Sequence, residues 1–145
     1  MNKDDAYWMR LAIDLAKEGK TKFGALIVDD AGQYVGGFNT TIQDGPVAHA
    51  EINAIKKMKE LDYDQAQDLT LYTTVEPCPM CMSAIIWAGI GRLVYGASIS
   101  FVQQFGKQIT LSSKQVAAEA WYAIEINPGI ERKACEQLFS SATNS

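Results

Sequence analysis

Residues 69–97 read LTLYTTVEPCPMCMSAIIWAGIGRLVYGA, and this stretch decides the fold of the chain. Residues 69–75 are rich in β-branched and aromatic side chains, 77–88 form an apolar helical run, and 92–96 return to a β-rich pattern. A strand, a helix and a strand joined by short links predict a βαβ unit. In such a unit the two strands are parallel and the helix covers one face of the sheet.

The residues that precede this unit predict a helix and a hairpin. Near the N-terminus, apolar side chains recur at helical spacing at Trp8, Leu11, Ala12, Leu15 and Ala16. Gly19 stops this pattern. Residues 25–29 and 34–38 flank the turn signal Asp30-Ala31-Gly32, which is typical of two antiparallel strands.

Two further helices and a last strand complete the predicted α/β domain. Residues 48–61 follow the chain break Asp44-Gly45-Pro46 and predict an amphipathic helix. Its apolar face is expected to consist of Ile52, Ile55, Met58 and Leu61, and its solvated face of Lys56, Lys57, Lys59 and Glu60. Residues 121–126 predict a strand and 131–139 a helix, whereas 97–120 show no clear pattern and the terminal SSATNS predicts a frayed tail. The alternation of helices and strands indicates a layered α/β domain.

The composition is that of one globular domain. A chain of 145 residues with 48% hydrophobic side chains can bury one core, so we expect a single domain over residues 1–145. The formal net charge of −4 argues against a surface built mainly to hold RNA or an anionic membrane, and favours a small ligand. No apolar stretch approaches a signal peptide or a membrane span, which leads us to expect a cytoplasmic protein.

The strongest chemical signal is the combination of a histidine with a close cysteine pair. His49 is the only histidine of the chain, and Cys78 and Cys81 are three residues apart at the predicted start of a helix. On one helical turn two such thiolates face the same way and can bind one zinc ion, with His49 as the third ligand. Three protein ligands and an open fourth position are typical of catalytic rather than structural zinc.

Glu51 is the candidate for acid–base work at this metal. Two residues on a regular helix are separated by roughly 200° of rotation, so His49 and Glu51 can converge only around a helix end. If they do, the Glu51 carboxylate can take a proton from the attacking water and return protons to a ring nitrogen and to leaving ammonia.

Two other interpretations of these residues come from different classes of protein. The cysteine pair alone is compatible with a redox site, although no thioredoxin-type setting accompanies it. In a structural zinc module, Cys135 would complete a four-ligand site with His49, Cys78 and Cys81, and Glu51 would be an ordinary surface carboxylate.

His-Ala-Glu at 49–51 followed by Pro-Cys-x-x-Cys at 77–81 resembles the signature of the cytidine deaminase superfamily. The resemblance extends from about residue 6 to 97. It implies a three-layer α/β/α fold with a mixed five-stranded sheet, one zinc ion per subunit, and a homodimer or larger homo-oligomer. It also implies that the Asn39 side chain and the Ala50 backbone contact the substrate ring.

Within this superfamily, the sequence resembles two branches. Phe23 before Gly24-Ala25, together with Trp87, resembles bacterial guanine deaminases and implies two further substrate-binding residues. The segments 89–92 and 124–139 look closer to the tRNA adenosine deaminases. We therefore expect deamination of guanine or a related small purine-like ring, with wobble adenosine of tRNA and then cytosine as alternatives. Trp87 can equally belong to the core or to a dimer interface, and Phe101 and Phe105 can stack on a base or be core.

Overall fold

The computed structural model describes residues 3–142, and its elements follow the predicted order with three additions. The strands are β1 (Gly24–Val28), β2 (Tyr34–Phe38), β3 (Thr70–Val75), β4 (Arg92–Ala97) and β5 (Glu125–Asn127). The helices are α1 (Asp5–Glu18), α2 (Thr41–Asp44), α3 (Ala50–Ile55), α4 (Pro79–Ala88), α5 (Ile99–Val102), α6 (Ser113–Ala117) and α7 (Arg132–Ala142). Short 3₁₀ turns lie at Met58–Glu60 and Ala66–Asp68. No helix in this part of the chain is long and apolar enough to cross a membrane.

The sheet is mixed and has the strand order β2-β1-β3-β4-β5. β1 pairs antiparallel with β2 and with β3, which confirms the predicted hairpin. β3 and β4 are parallel on either side of α4, as the βαβ pattern predicts, and β5 is parallel to β4. The carboxyl ends of β3 and β4 therefore lie at the same edge of the sheet.

Helices cover both faces of this sheet, so the three-layer α/β/α architecture is confirmed. One core joins α1 and α7 to the sheet around Met9, Ala12, Cys135 and Phe139. The second core joins α3 and α4 to the opposite face around Ala50, Ala54, Met82 and Ile85. Gly24 lets β1 approach α1 closely, because a Cβ there would lie 2.1 Å from the Ala12 carbonyl oxygen.

The helix predicted over 48–61 is shorter than expected and buries another face. α3 ends at Ile55, and its buried residues are Ala50, Glu51 and Ala54, whereas Ile52 and Ile55 are only partly buried. The small side chains face the sheet because β2 approaches closely: a Cβ at Gly37 would lie 2.9 Å from that of Asn53. The lysines of the predicted solvated face are exposed.

The C-terminal third contains the other differences. The segment without a clear pattern contains α5 and α6, each capped by a serine side chain, Ser98 and Ser112. β5 begins at Glu125, so the aromatic start of the predicted strand at 121–126 precedes it. α7 continues to Ala142, and residues 143–145 of the predicted tail lie outside the described residues.

Candidate active site

Three side chains from two separate segments of the sequence converge where α3 and α4 begin. His49 Nδ1 lies 3.4 Å from Cys81 Sγ and 3.7 Å from Cys78 Sγ, and the three ligand atoms all lie within 4.8 Å of one another. A tetrahedral zinc ion with ordinary Zn–S and Zn–N bond lengths separates a sulfur and a nitrogen ligand by about 3.6 Å. The spacing and the donor types therefore fit one zinc ion.

The local backbone explains why these residues meet. His49 is the N-cap of α3 and Cys78 the N-cap of α4, with Pro79 in the first turn of α4, where the missing N–H costs little. Gly89 ends α4 in the left-handed conformation at φ 82°. The Asn53 side chain donates to the Phe38 and Ala48 carbonyls at 2.8 and 3.4 Å, which ties the His49 end of α3 to the preceding loop.

The electrostatics of the two thiols favour a bound cation. The Cys81 thiol beside Cys78, helped by His49, lowers the pKa of Cys78 to about 4, so this sulfur is a thiolate at neutral pH. The hydrogen bond to Cys78 and burial raise the pKa of Cys81. A divalent cation on both sulfurs replaces this shared proton, because metal-bound cysteine is deprotonated.

Glu51 lies beside this group and is almost completely buried, at 6% exposure. Burial raises the pKa of Glu51 to about 7, which is the range of a general base that works near neutral pH. His49 and Glu51 converge because His49 is still extended, at φ −73° and ψ 159°, whereas Glu51 already lies in the helix. α3 therefore begins between His49 and Glu51, as the convergence of these two residues requires.

A cavity of about 850 Å³ is bounded by two of the predicted substrate-binding residues, Phe23 and Asn39. The Asn39 side-chain oxygen accepts hydrogen bonds from the Thr41 N–H and hydroxyl, both at 3.0 Å, which orients its amide. Ala50, the third predicted residue, is completely buried in the first turn of α3. Asn39, which lines the cavity, belongs to the part of the chain that leads from β2 to His49.

Trp87, the fourth predicted substrate-binding residue, lies elsewhere. It is 78% exposed on α4 and is not among the residues that line this cavity. Its ring packs on that of Trp121, itself 65% exposed, at a centroid distance of 5.0 Å. Within one copy of the chain the two tryptophans form an exposed aromatic pair.

Cys135 does not complete a four-ligand site. Its sulfur is buried in the core between α7 and the sheet, where a Cβ at Gly96 would lie 2.2 Å away, on the face opposite α3 and α4. Burial raises the pKa of Cys135 to about 12, so it is a neutral core side chain. The structural zinc module predicted as an alternative is therefore wrong in its fourth ligand.

Two features next to the site were missed from the sequence. Glu76 is buried and accepts three hydrogen bonds from the chain that follows β4, and the only available signal was an acidic residue between a buried strand and the cysteine motif. Lys17, Lys20 and Lys22 all line the cavity, although they do not form a run in the sequence.

The two phenylalanines that were expected either to stack on a base or to belong to the core differ in burial. Phe101 is partly buried against the core, whereas Phe105 is 40% exposed.

Comparison with known proteins agrees with this geometry. The family model of the cytidine and deoxycytidylate deaminase zinc-binding region matches residues 2–97. The tRNA-specific adenosine deaminase of Haemophilus influenzae is 35% identical over 144 residues, covering 94% of this chain and 82% of that protein. The guanine deaminase of Bacillus subtilis is 37% identical over 116 residues, 75% of this chain and 74% of that protein. A solved mutant protein in complex with 8-azaguanine shares the fold, with a TM-score of 0.81 and 24% identity over 97% of this chain and 85% of that one.

The chain belongs to the cytidine and deoxycytidylate deaminase family. It is accordingly a hydrolase that acts on C–N bonds, and its chemistry is the zinc-dependent deamination of a nucleobase- or nucleoside-type ring.

Proposed function

We propose that this enzyme deaminates guanine or a related small purine-like ring and releases ammonia. The observation that carries the proposal is the convergence of His49, Cys78 and Cys81 beside the buried Glu51. The cavity bounded by Phe23 and Asn39 is lined by none of these four residues, but the Thr40 N–H donates to the Ala48 carbonyl and so joins the Asn39 loop to the residue before His49. The similarity to the guanine deaminase of Bacillus subtilis supports a purine ring, and the net charge of −4 supports an uncharged substrate.

In this proposal the metal ligands are His49, Cys78 and Cys81, and Glu51 moves the protons. When bound, zinc supplies the Lewis acidity that makes a water molecule acidic near neutral pH. Glu51 takes a proton from the attacking water, whose oxygen bonds to the ring carbon that carries the amino group. Glu51 gives this proton to the ring nitrogen. It then takes the remaining proton from the hydroxyl group on the same carbon and gives it to the departing nitrogen, so that a carbonyl forms, the C–N bond breaks and ammonia leaves.

The substrate ring occupies the space beside the metal, where Asn39 orients it. The Asn39 oxygen is already engaged by Thr41, which leaves its amide N–H groups to donate to the ring. We assign Phe23 to the wall of the same space and the Ala50 backbone to its floor. Phe23 and Asn39 are partly buried and Ala50 is completely buried, so a ring held between them is shielded from part of the bulk water.

A tRNA adenosine deaminase is the second candidate, and one observation favours it. Lys17, Lys20 and Lys22 line the cavity that contains Asn39, and three ammonium groups suit the phosphates that flank a nucleotide. The similarity to the Haemophilus influenzae enzyme extends over nearly the whole chain. Cytosine is the third candidate, since relatives named as cytosine deaminases also match.

We further propose that the chain is a single domain that works as a homodimer or larger homo-oligomer in the cytoplasm. The exposed pair of Trp87 and Trp121 supports an interface, because two large aromatic side chains gain most when a second surface covers them. In this arrangement Trp87 contributes to the subunit contact rather than to the cavity of its own chain.

The test is ammonia release by zinc-loaded protein from guanine, guanosine, cytosine, adenosine and a tRNA anticodon stem-loop, beside Glu51→Ala. Release from guanine or another small ring that is absent in Glu51→Ala supports the proposal. Release only from the stem-loop, weakened steeply by added salt, assigns the enzyme to tRNA instead. Silence on every substrate at full zinc occupancy contradicts all three candidates.

A further inference from the structure

Glu76 is a buried carboxylate that follows β3 and precedes the metal-binding cysteines. It is 7% exposed, and its two oxygens accept three hydrogen bonds. One oxygen accepts from the Ile99 N–H at 3.0 Å. The other accepts from the Ser113 N–H at 2.9 Å and from the Ser113 hydroxyl at 2.7 Å. Hydrogen-bond donors therefore approach both oxygens of this side chain.

These donors lie at the two ends of one segment. Ile99 begins α5 and Ser113 begins α6, so a single carboxylate holds both ends of the chain between them. The Glu76 N–H also donates to the Ala97 carbonyl at 2.8 Å, which joins the end of β3 to the end of β4. We define the residues 99–113 as the anchored segment.

The anchored segment carries an aromatic cluster toward the cavity. Phe101 and Phe105 pack on Phe139 of α7 at centroid distances of 6.1 and 5.3 Å. Phe139 in turn meets Phe23 edge-on at 5.8 Å, and Phe23 lines the cavity with Asn39. Contact therefore runs from Glu76 through the anchored segment to a wall of the candidate substrate cavity.

We propose that Glu76 is a positioning residue for substrate binding: it holds the anchored segment, and with it the aromatic wall that ends at Phe23, against the metal-binding edge of the sheet. This inference rests on the proposed function. Glu76 does not touch the reacting atoms in this proposal and contributes no proton. Its contribution is to the shape of the pocket, so its loss should weaken substrate binding more than turnover.

The chemistry of the site explains why glutamine cannot replace this glutamate. A glutamine has the same shape but only one acceptor oxygen, and its NH₂ group would face a backbone N–H where an acceptor is required. Glu76→Gln therefore keeps one end of the anchored segment bound and releases the other. Because an unmatched buried donor is unfavourable, the released end moves away instead of staying in place.

The test compares full-length, zinc-loaded Glu76→Gln with the wild type in three measurements. Hydrogen exchange of the backbone amides should accelerate at least about tenfold at Ile99 or Ser113, while amides of α1 and β1 keep their protection. The KM for the ring substrate should rise about tenfold, with kcat within about threefold of the wild type. Zinc content should stay at that of the wild type.

Two variants control this comparison. Ser113→Ala removes one donor and leaves both N–H bonds to Glu76, so its KM should change by less than about threefold. Glu119→Gln removes a charge from an exposed glutamate near the same segment and should leave every measured quantity unchanged.

Several outcomes would overturn the proposal. Unchanged KM and exchange would show that Glu76 anchors nothing, and zinc loss would show that it supports the metal site instead. Faster exchange across the whole chain with a lower melting temperature would reduce its role to general stability. If the wild type deaminates no ring at all, the proposed function fails, and the exchange rates at Ile99 and Ser113 alone decide whether Glu76 anchors the segment.

Discussion

The two faces of the sheet use the same amino acid for opposite purposes. On the α1–α7 face, Cys135 is packed inside the core, and burial raises its pKa to about 12. On the α3–α4 face, Cys78 caps a helix beside a second thiol and a histidine, and its pKa falls to about 4. The position of a cysteine at a helix end, beside a second thiol and a histidine, therefore favours the thiolate that can bind a metal ion, whereas burial in a core favours the neutral thiol. Both faces have a hydrophobic core, and the α3–α4 face carries the candidate metal site in addition.

Exchanging a cysteine on each face gives the largest expected contrast. Cys78→Ala should lose zinc, all measurable turnover and the stability that zinc binding supplies, because two remaining ligands hold the ion poorly. Cys135→Ala should keep the zinc content of the wild type and lose about 1–2 kcal/mol of unfolding free energy from the vacated core position. Metal analysis by mass spectrometry and chemical denaturation measure the two effects. Zinc loss in Cys135→Ala would break the comparison.

Glu51 gives the next largest effect and separates metal binding from catalysis on the same face. Glu51→Ala should retain zinc yet lower kcat by about 10²- to 10⁴-fold, since Glu51 moves the protons in the proposed mechanism. Steady-state ammonia release and metal analysis on the same sample provide the measurement. Glu60→Ala, at an exposed glutamate after α3, is the matched control. Turnover near that of the wild type in Glu51→Ala would remove Glu51 from the mechanism.

A smaller effect is expected from the ion pair that holds α1 to the edge of the sheet. Hydrogen bonds from the Arg92 guanidinium lower the pKa of Asp5, so this carboxylate stabilises the fold above its ordinary pKa of 3.8. Asp5→Asn should cost about 1–2 kcal/mol of unfolding free energy at pH 7. The difference from the wild type should shrink as the pH falls below about 4, because Asp5 is protonated first in the unfolded chain. It should disappear once the pH has passed the lowered pKa of Asp5 in the folded protein. Denaturation at several pH values tests this, and a gap that widens in acid would contradict it.

The N-cap of α1 should give the smallest change. The Asp4 side chain accepts a hydrogen bond from the Tyr7 N–H at 2.9 Å. Asp4→Ala should lower the unfolding free energy by about 1 kcal/mol, as for other lost helix caps, and leave zinc content and kcat unchanged. Thermal unfolding together with the ammonia assay measures both quantities. A large fall in kcat would mean that the two faces are coupled more tightly than their separate cores indicate.

Much of the α3–α4 face was predictable because its information is local. The spacing of Cys78 and Cys81, the helix start marked by Pro79, and the order of elements in 69–97 all act within a few residues of chain. From the sequence, His49 and Glu51 could be predicted to converge only if a helix begins between them, and the sequence does not determine the residue at which α3 begins. The extended backbone of His49 at the cap of α3 meets that condition.

The less predictable features depend on contacts between distant residues. The predicted apolar face of 48–61 is confirmed at Met58 and Leu61, which are buried, and wrong at Ile52 and Ile55. The close approach of β2 buries Ala50 and Ala54 instead of the larger isoleucines. The anchored segment has no periodic pattern, since the acceptor that orders it, Glu76, is contributed by another strand end. Hydrophobic periodicity indicates which face of a single helix or strand is buried, and it contains no signal for a hydrogen bond between distant residues.

From the sequence alone, the class of fold and the residues able to hold zinc and move protons could be predicted, because they follow from local patterns and from the chemistry of the side chains. The family was indicated by the resemblance of the motifs at 49–51 and 77–81. The tertiary structure alone decided the strand order, the separation of Cys135 from the metal ligands, the exposure of Trp87 and the anchoring of 99–113. The physical reason is the same in each case. These properties arise when segments far apart in the chain bury surface and satisfy hydrogen bonds together.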